Sequence, residues 1–300
     1  MDENRSINKM KRPSITCMRR DVRTELRGIL PEDALGHVKR AFDIIGSKQR
    51  AVAIIGLPEE LGAYEREIAK AIMRVHKNVS SVLSKESKRL GEFRTRDLRL
   101  VAGSPNTEVV HRESGCYFKL DPRKVYFSPR ESTERDRIAA KVGRGESVLV
   151  MFSGVGPFPI RIVKREGSVK VTAVEINPDA HNYCIENIHL NRVESQVDPR
   201  LGDVRDVCPN LGETFDRVLM PLPKGAHMFL DVTIPLLKDG GVLHFYHWAP
   251  EADLFSRAEE LVVETAGNLG RIPMVLERRG VSQYSPRVWK IRIDAKIDGS

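Results

Sequence analysis

From residue 147 onward, short apolar runs alternate with amphipathic stretches. Residues 147–151 are mostly β-branched or aliphatic, which predicts a strand buried on both faces of a parallel sheet. Residues 169–174 repeat that signal and stop on Glu175, and residues 197–201, 215–220 and 242–247 carry it three times more. Between these runs the pattern predicts helices opening at Pro157 and after Asn177, with Asn187 and Asn191 ending the second, then helices over 226–237 and 251–265. Residues 274–281 and 287–295 read as a closing antiparallel pair, so the second half is expected to form a seven-strand, doubly wound α/β sheet.

The first half has a different rhythm. Residues 1–30 are polar, arginine-rich and weakly periodic, which predicts an extended arm. Short strands are expected at 42–45 and 51–55. A helix follows, because Leu61, Tyr64, Ile68, Ala71, Ile72 and Val75 keep helical spacing, and then a strand at 79–83. Residues 93–98 alternate in strand fashion, which puts Arg94 and Arg96 on one face. That face suits phosphate binding, or a structural surface paired with Glu92, Glu108 and Glu113. Strands at 107–111 and 116–120 complete a smaller α+β domain over 31–122, leaving 123–300 for the larger one. Ser128, Pro129 and Glu131 predict a capping box at the start of a helix on which Arg130, Glu134 and Arg137 share a face.

Composition adds one asymmetry. The chain has 300 residues, 41% of them apolar, and a net charge of +8. Residues 1–140 hold 29 Lys and Arg against 20 Asp and Glu; the remainder holds 20 against 21. All of the basic excess therefore precedes the parallel sheet, which suits contact with a polyanion such as nucleic acid, or basic side chains solvated on helix faces. No apolar run approaches a membrane span and no secretory signal is present, so no membrane contact is expected. Four scattered cysteines, with no Cys-x-x-Cys pair, indicate neither zinc nor a disulfide framework and suit a reducing, cytoplasmic setting. No metal site and no protein partner is indicated.

The candidate chemistry lies in the turn after the first parallel strand. Ser153, Gly154, Val155, Gly156 and Pro157 give a glycine turn opening a helix, followed by a strand ending on an acid placed to bond ribose hydroxyls. The motif is not the full dinucleotide fingerprint, and Pro157 removes an N–H that a pyrophosphate would need. A nucleoside without phosphates, such as S-adenosylmethionine, fits better. Asp203 after the third strand and the Pro221, Leu222, Pro223 loop after the fourth complete the order of a Rossmann-like class I methyltransferase. Asp203 also reads as a helix cap, and Phe152 as a core ring.

Together the segments at 125–135, 152–158, 175–178, 215–223 and 284–287 resemble the archaeal and eukaryotic tRNA guanine-37 N1-methyltransferase family, over roughly residues 40–297. The wybutosine-pathway aminocarboxypropyltransferase is a close relative of that family. The resemblance implies methyl transfer from S-adenosylmethionine to N1 of the guanine 3′ of a tRNA anticodon. It implies Glu134 as the base and Arg94 as the group stabilising O6. It implies cofactor contacts from Tyr126, Arg130, Phe152, Gly154, Gly156, Glu175, Ile176, Asp203, Val204 and Pro221, and tRNA contacts from Arg135, Arg96, Pro223 and Tyr284. Two positions depart from the family pattern. Val150 stands where many relatives have an acid, and Pro221 where many have Asn, so one cofactor contact and one side-chain amide are missing. The alternatives are aminocarboxypropyl transfer to the same tRNA position, or a noncatalytic RNA-binding protein on a decayed methyltransferase fold.

Overall fold

The computed structural model describes residues 21–38, 42–86 and 97–299. The first described residues are not extended. Helix α1, Val22–Leu26, is capped by the Asp21 side chain, which accepts from the Thr24 N–H. Leu26 and Leu30 are buried with Val22 in the small domain's core, so this part of the expected arm belongs to that domain; residues 1–20 lie outside the described residues. Apolar side chains at 22, 26 and 30 keep a one-turn spacing, and burying them outweighs the cost of ordering a short polar segment.

Helix α2 (Glu32–His37) leads to strands β1 (Asp43–Gly46) and β2 (Ala51–Ile55), helix α3 (Glu65–Val75) after a 3-10 turn, and strands β3 (Val79–Lys85) and β4 (Leu98–Gly103). These four strands form one sheet in the order β1-β2-β3-β4. All five residues of β2 are buried, as expected for a central strand with α3 on one face and the rest of the molecule on the other. A hairpin follows, β5 (Val109–Glu113) and β6 (Cys116–Leu120), with its own two-stranded pairing.

Helix α4 (Ser132–Ala139) follows a 3-10 turn at Pro129–Glu131. The capping box expected there does not form. Ser128 makes no side-chain cap bond, and the Glu131 carboxylate is taken by Lys290 at 2.9 Å.

The larger domain then alternates: β7 (Ser147–Met151), α5 (Pro157–Arg165), β8 (Lys170–Glu175), α6 (Pro178–Asn191), β9 (Val197–Leu201), α7 (Val204–Val207), β10 (Phe215–Met220), α8 (Leu230–Thr233), β11 (Leu237–Pro250), α9 (Ser256–Asn268), β12 (Ile272–Ser285) and β13 (Val288–Asp298). Its sheet has the order β12-β13-β11-β10-β7-β8-β9. The strands from β9 to β11 are parallel, and β13 is antiparallel to both of its neighbours. The order reverses between β7 and β10, so the carboxyl ends of these two strands flank the crevice where such sheets bind ligands.

Several boundaries differ from expectation. The single helix expected over 226–237 is 3-10, α and 3-10 in turn, because Pro235 removes a helix donor. Residues 238–241, expected to close that helix, lie inside β11, where the pairing with β10 shifts register. Helix α9 begins at Ser256 rather than 251. Helix α6 ends on Asn191, as expected, but runs on past Asn187. Both are buried, and they bond the backbone of β6.

Candidate functional site

The crevice is built on the β7 turn. Phe152 and Gly154 both take positive φ, +54° and +57°, so the chain doubles back at the strand end and turns its N–H groups inward. The Gly154 N–H donates to Glu175 Oε2 at 2.7 Å, and the Asn177 N–H to Glu175 Oε1 at 2.9 Å. Glu175, at the end of β8, therefore clamps the turn and the start of α6 with one carboxylate, while lone pairs on both oxygens remain for a ligand. Burial pushes its carboxyl above the usual range, against the three backbone N–H groups that lower it.

Phe152, Ser153, Gly154, Val155, Glu175, Ile176, Asp203, Val204 and Pro221 all line the crevice, and Tyr126 and Arg135 close it from the segment before α4. Asp203 also caps α7, its Oδ1 accepting from the Arg205 N–H at 2.8 Å; the two readings of this residue hold together. Phe152 faces Phe229 edge-on at 5.1 Å, so it is both crevice wall and part of the core's margin. Phe127, Phe158, Asn177, Leu222, Phe229 and Glu131 also line the wall and were not assigned to the ligand from the sequence. Only Glu131 carried a usable signal, as the neighbour one turn before Glu134.

Gly156 is absent from the lining. Its φ is +86°, and a Cβ there would lie 2.8 Å from Cys184 Sγ, so the glycine lets α5 start against α6 rather than admitting a ligand. Val150 is fully buried inside the sheet. Arg130 points away, exposed, and pairs with Asp43 at 2.7 Å. Pro223 is buried and does not line the crevice, and Tyr284 is half exposed at the sheet's end, stacked on Trp248. Arg94 and Arg96 lie outside the described residues.

Arg135 is buried and forks onto Glu113 of the hairpin at 2.6 and 2.7 Å, with its guanidinium 5.1 Å from the Phe127 ring. Glu134 lies one residue before it and faces the sheet. Its Oε1 accepts from Tyr246 Oη at 2.8 Å and from Arg292, and its Oε2 from Arg137 at 3.4 Å. Arg292, fully buried, also bonds Asp294 and Glu277. His244 is the next member. Arg217 can only donate to its Nε2, at 2.7 Å, so Nδ1 carries the hydrogen and donates to Asp294 at 2.6 Å. Glu134 thus ends a buried polar chain running across β10, β11 and β13.

The fit of an adenosyl-type ligand rests on one orphan. Ser153 Oγ is buried in the crevice wall and has no hydrogen-bond partner among the described residues. Beside it are carboxylates at two strand ends, an aromatic and aliphatic wall, and no cluster of cations of the kind that holds phosphates. Among the described residues, no group of three or more His, Cys, Asp and Glu could hold a metal ion, and no helix is long and apolar enough to cross a membrane.

A sheet in this order with an acid-lined crevice at its carboxyl end defines a class I methyltransferase fold. Residues 109–271 match the TRM5/TYW2 methyltransferase domain, and residues 22–107 match the TYW2 N-terminal domain. The chain belongs to the TRM5/TYW2 family. It is 45% identical to tRNA (guanine(37)-N(1))-methyltransferase Trm5b of Pyrococcus abyssi, over 89% of this chain and 78% of the relative. The crystal structure of that Trm5b superposes with a TM-score of 0.80, covering 90% and 78% of the two chains. The P. horikoshii TYW2 structure in complex with MeSAdo is 31% identical, with a TM-score of 0.77, covering 93% and 98%. A complex of aTrm5 with tRNALeu matches at 33% identity and a TM-score of 0.81, covering 93% and 79%.

Proposed function

We propose that this protein transfers the methyl group of S-adenosylmethionine to N1 of the guanine next to the anticodon of a tRNA, in the cytoplasm. The observation that carries the reading is the crevice: two acids at adjacent strand ends, an orphan Ser153 hydroxyl and an apolar wall, in a chain that is 45% identical to a Trm5b. When bound, the cofactor supplies an already activated methyl group on a sulfonium. Glu175 holds the ribose hydroxyls with its spare lone pairs, and Asp203 and Val204 flank the adenine. Ser153 and the Gly154 turn face the amino-acid end.

Guanine N1 carries a proton and becomes nucleophilic only as that proton leaves. Glu134 takes it. Tyr246 and Arg292 fix Oε1, so Oε2 is the oxygen that accepts, once the partly exposed Arg137 gives way to the base. Arg94, from the basic segment before β4, meets the charge developing on O6. Arg135, held ready by Glu113, positions the anticodon loop. Pro221 supplies only a carbonyl and a ring where an amide is usual, so the guanine's amino edge is held by backbone.

The test uses tritiated cofactor and two tRNAs that differ only at the target position. Label enters the tRNA with guanine and not the one with adenine. Glu134→Gln abolishes transfer with cofactor affinity unchanged, whereas Glu131→Gln, which alters the crevice wall, weakens cofactor binding. Transfer that survives in Glu134→Gln and fails in Glu131→Gln would move the base to the earlier turn. One observation favours a second reading, aminocarboxypropyl transfer: residues 22–107 match the TYW2 N-terminal domain. The Pro221, Leu222, Pro223 loop weighs the other way.

A further inference from the structure

Strands β11 and β13 set three side-chain pairs in register on the sheet face under α4: His244 with Asp294, Tyr246 with Arg292, and Trp248 with Lys290. Side chains two apart on a strand share a face, so the row climbs from the buried His244 past Glu134's partner Tyr246 to the sheet's carboxyl edge. Lys290 fixes where the row meets the crevice. Its ammonium lies 4.8 Å above the Tyr246 ring and pairs at 2.9 Å with Glu131, a crevice-wall residue. Directly across from Lys290, the Trp248 ring stacks on Tyr284, with centroids 4.1 Å apart and planes 29° apart.

This pair has features that a packing contact does not need. Tyr284 is 52% exposed, so the outer side of the stack faces solvent at the carboxyl end of the sheet. The turn carrying it is held in place: Arg287 takes a positive φ of +62°, and its carbonyl accepts from the Glu251 N–H at 2.9 Å, tying the β12–β13 tip to the end of β11. This aromatic surface is one strand step, about 7 Å, from Tyr246, the partner of Glu134, which is within the reach of a nucleotide adjoining a base held at Glu134.

We propose that the Trp248–Tyr284 stack is a platform for one unpaired nucleobase flanking the target guanine. The proposal rests on the tRNA reading above. Bringing the guanine edge to Glu134 removes it from the loop's base stack, which leaves its neighbour without a stacking partner. An aromatic face restores that contact without reading sequence.

The chain has two tryptophans, so Trp289→Phe leaves Trp248 as the sole emitter. In that background, tRNA quenches tryptophan emission on saturation. Tyr284→Ala raises the KM for tRNA about tenfold and leaves the KM for cofactor unchanged, and Tyr284→Phe restores the tRNA value. Because Tyr284 is exposed, its removal leaves the melting temperature in place, which separates binding from folding. Methylation with an unchanged tRNA KM in Tyr284→Ala and no change in emission would overturn the platform and leave the methyltransferase reading intact. No labelled tRNA from the unsubstituted chain would overturn that reading, and the platform with it.

Discussion

Glu175 shows how one side chain links the fold to the ligand. It joins the β7 turn to the start of α6 through two backbone N–H groups, and in doing so faces the crevice with the lone pairs left over. Glu175→Gln replaces one acceptor by an NH2 that opposes a backbone N–H. We expect calorimetry to show at least a tenfold loss of S-adenosylmethionine affinity, on the order of 1.4 kcal/mol or more. Gly156 acts through packing. An alanine there combines a strained φ with a Cβ 2.8 Å from Cys184 Sγ, so Gly156→Ala is expected to cost about 1–3 kcal/mol by urea denaturation. Part of that cost returns in the Gly156→Ala, Cys184→Ala pair, where the sulfur is gone.

The glycine turn and the acid that follows it were legible in the sequence because the backbone demands them. Gly156 was assigned to the ligand, however, since nothing in a linear pattern says that Cys184 passes behind it. The same limit applies to Glu131 and Glu134. Both lie on the segment after Ser128, but which one lines the crevice depends on Lys290 and Arg292, more than 150 residues later.

At the scale of elements, two side chains of α6 behave like a strand edge. Asn191 accepts from the Tyr117 N–H at 2.9 Å and donates to the Tyr117 carbonyl at 2.6 Å. Asn187 does the same with Lys119, at 2.6 and 3.1 Å. Asn187 also donates to the Val155 carbonyl at 3.0 Å, so the β5–β6 hairpin and the glycine turn share one amide. Asn187→Leu leaves buried donors and acceptors unpaired on both sides. A loss of stability of at least about 2 kcal/mol is expected, with weaker cofactor binding because the turn is released. Sequence alone suggested that these asparagines end the helix, because small polar residues usually do. Their real partners lie some 70 residues earlier on another element.

The ladder between β11 and β13 gives the fold a pH dependence. Burial holds the His244 imidazole below its usual value of 6.5, with Asp294 pulling the other way. The unfolded chain therefore binds a proton that the folded chain excludes, and stability falls as the pH drops below about 6.5. The urea midpoint is expected to be lower at pH 5.5 than at pH 7.5, and His244→Gln flattens that slope. Arg292→Met, which strands Glu134 and Asp294, is expected to cost about 3–5 kcal/mol.

At the scale of the molecule, most of the basic excess lies in the small domain: residues 1–122 hold 24 Lys and Arg against 17 Asp and Glu, and residues 123–300 hold 25 against 24. Affinity for tRNA should therefore fall steeply with salt, with log K linear in log salt, while cofactor affinity changes little over the same range. The strands of the larger sheet were readable because each announces itself by an apolar run. The inclusion of residues 21–30 in the small domain was not, because three apolar residues among many charges give a weak signal until α3 is there to cover them.

The most direct test is mass spectrometry of nucleosides and small-molecule products after incubating the protein with S-adenosylmethionine and a tRNA carrying guanine 3′ of the anticodon. Methyl transfer gives 1-methylguanosine at that position and one equivalent of S-adenosylhomocysteine. A base carrying a 3-amino-3-carboxypropyl group, together with methylthioadenosine, would rule methyl transfer out.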